Sequence, residues 1–307
     1  MGPEFLVISY IYLHNLRSFV NGSGLGKTRT TLEGLTRRFG FYFVLAGTSH
    51  GNTTGLGSYD MVAAMRQTIF DQRYTRSPVE PEQVIVNEGI AQRQMRKVIA
   101  SRLFIFDRYL GGISLPYSDA CLSWVKIQVL FTEVFGTDIF FDLFQALDKA
   151  SDAFLIRSIK TSLLSIQSLL QKLHYEEPLY VVLDEAEAAA REHPGSFRTK
   201  PGDEERSILQ PIVHALNRHL EQWVIIVTGT DISSIDSLKD TVSTSTKPDR
   251  ELPTTYHDID VFNKDSAMEY CLQYFPPHLR KHSVIRRLGF WMQGRYEKHH
   301  LRPLQTR

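Results

Sequence analysis

Two hydrophobic patterns alternate along this chain. Unbroken apolar runs occur at Phe41–Leu45 (FYFVL), within Leu179–Glu187 (LYVVLDEAE) and at Trp223–Val227 (WVIIV). Runs of this length suit strands covered on both faces of a parallel sheet. A shorter run, Ser18–Val20, reads as the end of another strand. Between them lie stretches with apolar residues three or four positions apart, the spacing of one helix face. These are Arg29–Phe39 (Leu32, Leu35 and Phe39 in step), Tyr59–Tyr74, Glu88–Leu110, Pro116–Phe135, Ile139–Leu147, Phe154–His174 and a helix from Arg206 to about His219. Breaks fall at Ser77–Pro81, at Pro178 and in the polar loop Glu192–Glu205.

Strands interleaved with helices predict an α/β fold with a mostly parallel sheet. The stretch between the second strand and LYVVL exceeds what a minimal sheet core needs, so a helical insertion is expected over about 77–152. The cations Arg93, Arg96, Lys97, Arg102 and Arg108 are read as a solvated face of it. Residues 1–255 then form the core. Residues 256–307 form a small helical lid, with helices at Lys264–Tyr274 and Val284–Met292, and Ile232–Pro253 is irregular.

The candidate chemistry begins at Asn21-Gly22-Ser23-Gly24-Leu25-Gly26-Lys27-Thr28, ahead of a predicted helix that opens with Arg29. Glycines let backbone N–H groups turn toward an anion, and the helix adds its positive N-terminal end. Lys27 would reach the β- and γ-phosphates of a nucleotide, and the Thr28 hydroxyl would ligate Mg²⁺. The pattern G-x-x-x-x-G-K-[ST] wants Gly where this chain has Asn21, a residue that tolerates left-handed backbone angles. At the end of the LYVVL run, Asp184 would hold Mg²⁺ directly or through water, and Glu185 would polarise the attacking water. Thr228 or Thr230, after the fourth strand, would sense the γ-phosphate, or the segment is a plain strand-to-loop turn in which Gly229 supplies the backbone freedom. Arg198 and Arg206 are candidate arginine fingers, acting within the chain or across a subunit boundary, although an exposed cation is the plainer reading of each.

Together GLGKTRT, FYF, VVLDEAE, RSILQP, IVTGT and WMQGRY resemble the P-loop NTPase region of Crinkler-type effectors and related fungal proteins, over about Phe19 to Tyr296. The resemblance implies a P-loop fold of the additional-strand, catalytic-glutamate type with a helical C-terminal lid. It also implies action inside a cell, often in the nucleus. By likeness to the Gly-Arg element of related lids, Arg295 would touch the γ-phosphate. The expected activity is Mg²⁺-dependent hydrolysis of the β–γ bond of ATP or another nucleoside triphosphate. The alternatives are a nucleotide-binding switch with little turnover and a DNA-stimulated effector ATPase.

Composition narrows the partners. The 307 residues are 42% hydrophobic and 22% charged, with net charge +1, which suits a globular protein without a strong general attraction to nucleic acid or anionic membrane. A protein partner and a homo-oligomer stay open. Cys121 and Cys271 lie far apart, without zinc spacing, and a reduced compartment is their simplest home. Phe5–Leu13 is apolar but too short to span a bilayer and lacks a basic leader before it. Met1–Phe5 resembles an expression-vector scar.

Overall fold

The computed structural model describes residues 16–20, 27–46, 56–78, 80–197, 206–230 and 254–256, together with 268, 269, 272, 278, 279, 282–285 and 287. The strands β1 (Leu16–Val20), β2 (Gly40–Val44), β3 (Tyr180–Asp184), β4 (Val224–Gly229) and β5 (Thr254–Tyr256) form one sheet in the order β2-β3-β4-β1-β5. Every pairing is parallel. The helices are α1 (Lys27–Leu35), α2 (Asp60–Phe70), α3 (Pro81–Gly112), α4 (Tyr117–Val129), α5 (Phe131–Phe135), α6 (Ile139–Ala146), α7 (Asp152–Lys172), α8 (Ala186–Arg191) and α9 (Leu209–His219). Among the described residues, no helix is long and apolar enough to cross a membrane.

Both faces of the sheet are covered, which is why its strands read as unbroken apolar runs. Phe41 and Phe43 of β2 join Val181, Leu183, Ile225 and Val227 in the main core, under α2, α3, α7 and α9. Alternation along the strand sends Tyr42 to the other face. There it packs with Leu35, Val125, Tyr180, Val182 and Ile226, beneath α1 and α4. The helices of the expected insertion thus share their cores with the sheet.

The 32-residue α3 packs against α2, α6, α7 and α9. Arg108 is exposed as expected, but Lys97 and Arg102 differ from the solvated face expected of them. Lys97 is 1% exposed and Arg102 0%. Arg102 makes two bonds to Asp60, of 2.6 and 2.8 Å, while its guanidinium lies over the rings of Phe43 and Phe140 at 4.7 and 4.1 Å. Lys97 donates to Asp148, Gln67 and Gln94 and sits over Phe144. A helix packed on several sides turns few positions to water, and long cationic side chains within it must find paired or aromatic surroundings. Arg93 and Arg96 keep partial exposure and hold Asp152 at the start of α7.

The order of the strands positions the site. The chain leaves β1 toward β2 at one edge and leaves β4 toward β5 at the other edge. The carboxyl ends of β1 and β4 therefore flank the crevice where open α/β sheets bind ligands. Val20 pairs with Gly229 and Leu183 with Val227, so β1, β3 and β4 end at one level. Of the lid expected over 256–307, almost all, including Gly294-Arg295, lies outside the described residues, as does Ile232–Pro253.

Candidate functional site

Asp184 is the centre of the site. It closes β3, is 3% exposed, and receives four donors. Its Oδ2 accepts from the Thr28 hydroxyl and from the Tyr42 hydroxyl, each at 2.7 Å. Its Oδ1 accepts from the Thr228 hydroxyl and, at 3.1 Å, from the Glu185 amide. A carboxylate offers about four lone-pair positions, and here each has a donor. Charge-assisted bonds of this kind are the stronger class, so the arrangement fixes the ends of β2, β3, β4 and α1 to one another.

Lys27 and Thr28 open α1, where the helix dipole favours an anion. Lys27 is 9% exposed, and its charge acts on Glu185. Arg29 faces outward and pairs with Glu33 at 2.6 Å. Asn21, Gly22, Ser23, Gly24, Leu25 and Gly26, which carry the rest of the sequence motif, lie outside the described residues.

Glu185 has left-handed backbone angles, φ 56° and ψ 40°. A non-glycine residue held there costs about 1–3 kcal/mol, and such residues collect at functional sites. The turn separates the neighbouring acids, since Asp184 points into the packed cluster while Glu185 stays open to solvent. Partial burial raises the Glu185 carboxyl above its ordinary value, the charges of Asp184 and Glu187 add to this, and Lys27 opposes it. A raised carboxyl beside an open space suits a general base.

Thr228, within β4, and Thr230, just after it, are both engaged with acids. Thr228 is fully buried against Asp184, and Thr230 donates to Glu187 at 2.8 Å. Arg206 acts on Glu88 of α3, which also faces His214 of α9 at 3.3 Å. Arg198 and Arg295 lie outside the described residues.

Sequence reading missed Tyr42. Its signal was the one hydroxyl in an aromatic strand, on the face opposite Phe41 and Phe43. Burial and the charge of Asp184 push the Tyr42 phenol far above its ordinary pKa, so it stays a donor.

Among the described residues, no three His, Cys, Asp or Glu side chains converge as a metal cage. The donor chemistry nevertheless fits a small hard cation that brings other oxygen ligands with it. The Thr28 hydroxyl donates its hydrogen bond to Asp184, so its lone pairs are left for such a cation. Direct ligation by Asp184 would displace one of its four donors. Comparison with protein-family models, with curated proteins and with solved structures gives no match for this chain.

Proposed function

We propose that this chain is a Mg²⁺-dependent P-loop nucleoside triphosphatase of the additional-strand, catalytic-glutamate type, acting on ATP. One observation carries the reading. The Thr28 hydroxyl donates to Asp184 at 2.7 Å, joining the Gly-Lys-Thr segment to the acidic strand end across 156 positions of sequence. The strand order supports it, because β4 stands between β1, which precedes Lys27, and β3, which ends in Asp184. The resemblance to the NTPase region of Crinkler-type effectors belongs to the same proposal, as does action inside a cell.

In this reading Lys27 and the amides at the start of α1 neutralise phosphate charge, which is how most phosphoryl-transfer catalysis is achieved. Thr28 and Asp184 would hold Mg²⁺, Thr28 as a ligand and Asp184 by fixing the Thr28 hydroxyl. When bound, the ion would offset the negative charge that develops during phosphoryl transfer. Glu185, raised above its ordinary pKa and open to solvent, orients the attacking water and accepts its proton.

A second reading, a nucleotide-gated switch with little turnover, is favoured by the engagement of Thr228 and Thr230 with acids and by the position of Arg206 beside Glu88. Phosphate release and thermal shift with Mg-ATP separate the two. The wild type should melt higher with nucleotide, since ligand bound to the folded state stabilises it by mass action. Lys27→Ala should lose that rise. Glu185→Gln should keep it and lose phosphate release. Stabilisation without release in the wild type selects the switch, and no stabilisation by any nucleoside triphosphate refutes both. Stimulation of release by DNA would identify the effector ATPase.

A further inference from the structure

Every lone pair of Asp184 is taken, and two of its donors, Tyr42 and Thr228, come from strands outside the two sequence motifs. Tyr42 lies in β2, at the edge of the sheet, and its hydroxyl shares Asp184 Oδ2 with Thr28 at 2.7 Å each. Tyr42 is itself held from the other side. Its amide donates to Gln128 Oε1 of α4 at 2.9 Å, and Gln128 Nε2 donates to the carbonyl of Gly40 at 3.0 Å. One amide side chain therefore fixes two backbone groups of β2, two residues apart, as a neighbouring strand would. Arg102 donates to the same Gln128 oxygen at 3.4 Å, and Asp60 neutralises Arg102. Gln128 and Arg102 are both 0% exposed, so these bonds form out of competition with water.

We propose that Tyr42, anchored by Gln128, is a positioning residue for metal binding at this site: it fills the second Oδ2 lone pair and so keeps Asp184 orienting Thr28, not ligating the cation itself. The inference rests on the nucleotide-phosphate reading of Lys27 and Thr28. Two hydroxyl donors on one oxygen fix the plane of the carboxylate, and that plane fixes where the lone pairs of Thr28 point. With Tyr42 removed, Oδ2 has a free lone pair and Asp184 has one fewer restraint. The Thr28 hydroxyl then loses its fixed direction. Groups that orient a metal ligand by hydrogen bonding typically change metal affinity or activity by about 10–100-fold when removed.

The experiment uses the full chain and Tyr42→Phe, which keeps the ring and removes only the hydroxyl. Thermal shift is titrated with ATP in EDTA and again with ATP in excess Mg²⁺. In the wild type, Mg²⁺ should tighten the apparent nucleotide affinity. In Tyr42→Phe, affinity in EDTA should stay within about twofold, while affinity in Mg²⁺ should fall about tenfold or more. Phosphate release should recover part of its loss as Mg²⁺ is raised. Gln128→Asn keeps an amide but withdraws it by one methylene, and should shift the Mg²⁺ titration in the same direction by less. It is the deciding variant if Tyr42→Phe does not fold. Equal losses with and without Mg²⁺, or an unchanged Mg²⁺ titration, overturn the role of Tyr42. A wild type that binds no ATP in either condition refutes the underlying nucleotide reading instead.

Discussion

Replacing Arg102 by Met tests whether the helices around α3 are held by a paired charge or by packing alone. Arg102 and Asp60 are both 0% exposed and joined by bonds of 2.6 and 2.8 Å. Arg102→Met leaves the Asp60 carboxylate buried, with the Met61 amide, 2.8 Å from Oδ1, as its remaining close donor. Stranding one member of a buried pair costs about 3–5 kcal/mol, because the desolvated charge has lost its counter-charge. Domains are stable by about 5–15 kcal/mol, so the variant should lose about a fifth or more of its stability. The double variant Asp60→Asn with Arg102→Met removes the charge as well, and should recover at least about 2 kcal/mol of the loss. Urea unfolding followed by tryptophan fluorescence measures this, since Trp124 and Trp223 are buried in the core. The single variant should unfold about 1–2 M earlier than the wild type. If the double variant is no more stable than the single one, the cost lies in lost packing over Phe43 and Phe140, and the charge argument is refuted.

Three further outcomes follow from the same geometry. The fold raises the Glu185 carboxyl, so the folded state binds its proton more readily than the unfolded chain, and that contribution is lost as pH rises through the raised value. Glu185→Gln should therefore melt above the wild type at neutral pH, and the gap should close as the pH falls into the ordinary carboxylate range. Burial first, then Arg96 and Arg218, hold the His219 imidazole down to about 4. The unfolded chain takes that proton first, so stability should fall by at most about 3 kcal/mol between pH 6.5 and 4, and His219→Gln should flatten this part of a pH series of unfolding midpoints. A Cβ at Gly40 would meet the Tyr180 carbonyl oxygen at 2.5 Å and Leu35 Cδ2 at 2.7 Å, so Gly40→Ala should cost about 1–3 kcal/mol or more in denaturant unfolding.

The sheet could be read from the sequence because each of β2, β3 and β4 is buried on both faces and so appears as an unbroken apolar run. Helix α7 was equally plain from its apolar spacing, and the structure adds a Ser151 side chain accepting from the Phe154 amide at its start. The start of α3 was read too late. The local pattern puts Pro81 in a break, whereas proline at a first helical turn loses no hydrogen bond and already has a helical φ. Charge alone puts Lys97 and Arg102 on the surface, because it does not reveal a partner, and Asp60 stands 42 positions from Arg102. The site divides in the same way. Lys27, Thr28, Asp184 and Glu185 follow from local motifs. Tyr42 and Gln128 act through contacts 142 and 86 positions long, set by strand register and by the docking of α4.

The cover that Gln128 and Trp124 give to Gly40 and Tyr42 has a cost for any shortened version of the molecule. β2 ends the sheet, and a bare outer strand of aromatic residues is a template onto which another chain can add. Excising α4 would uncover that rim, and the trimmed protein would stick to copies of itself before any activity could be measured. The helices between β2 and β3 therefore serve solubility as well as shape.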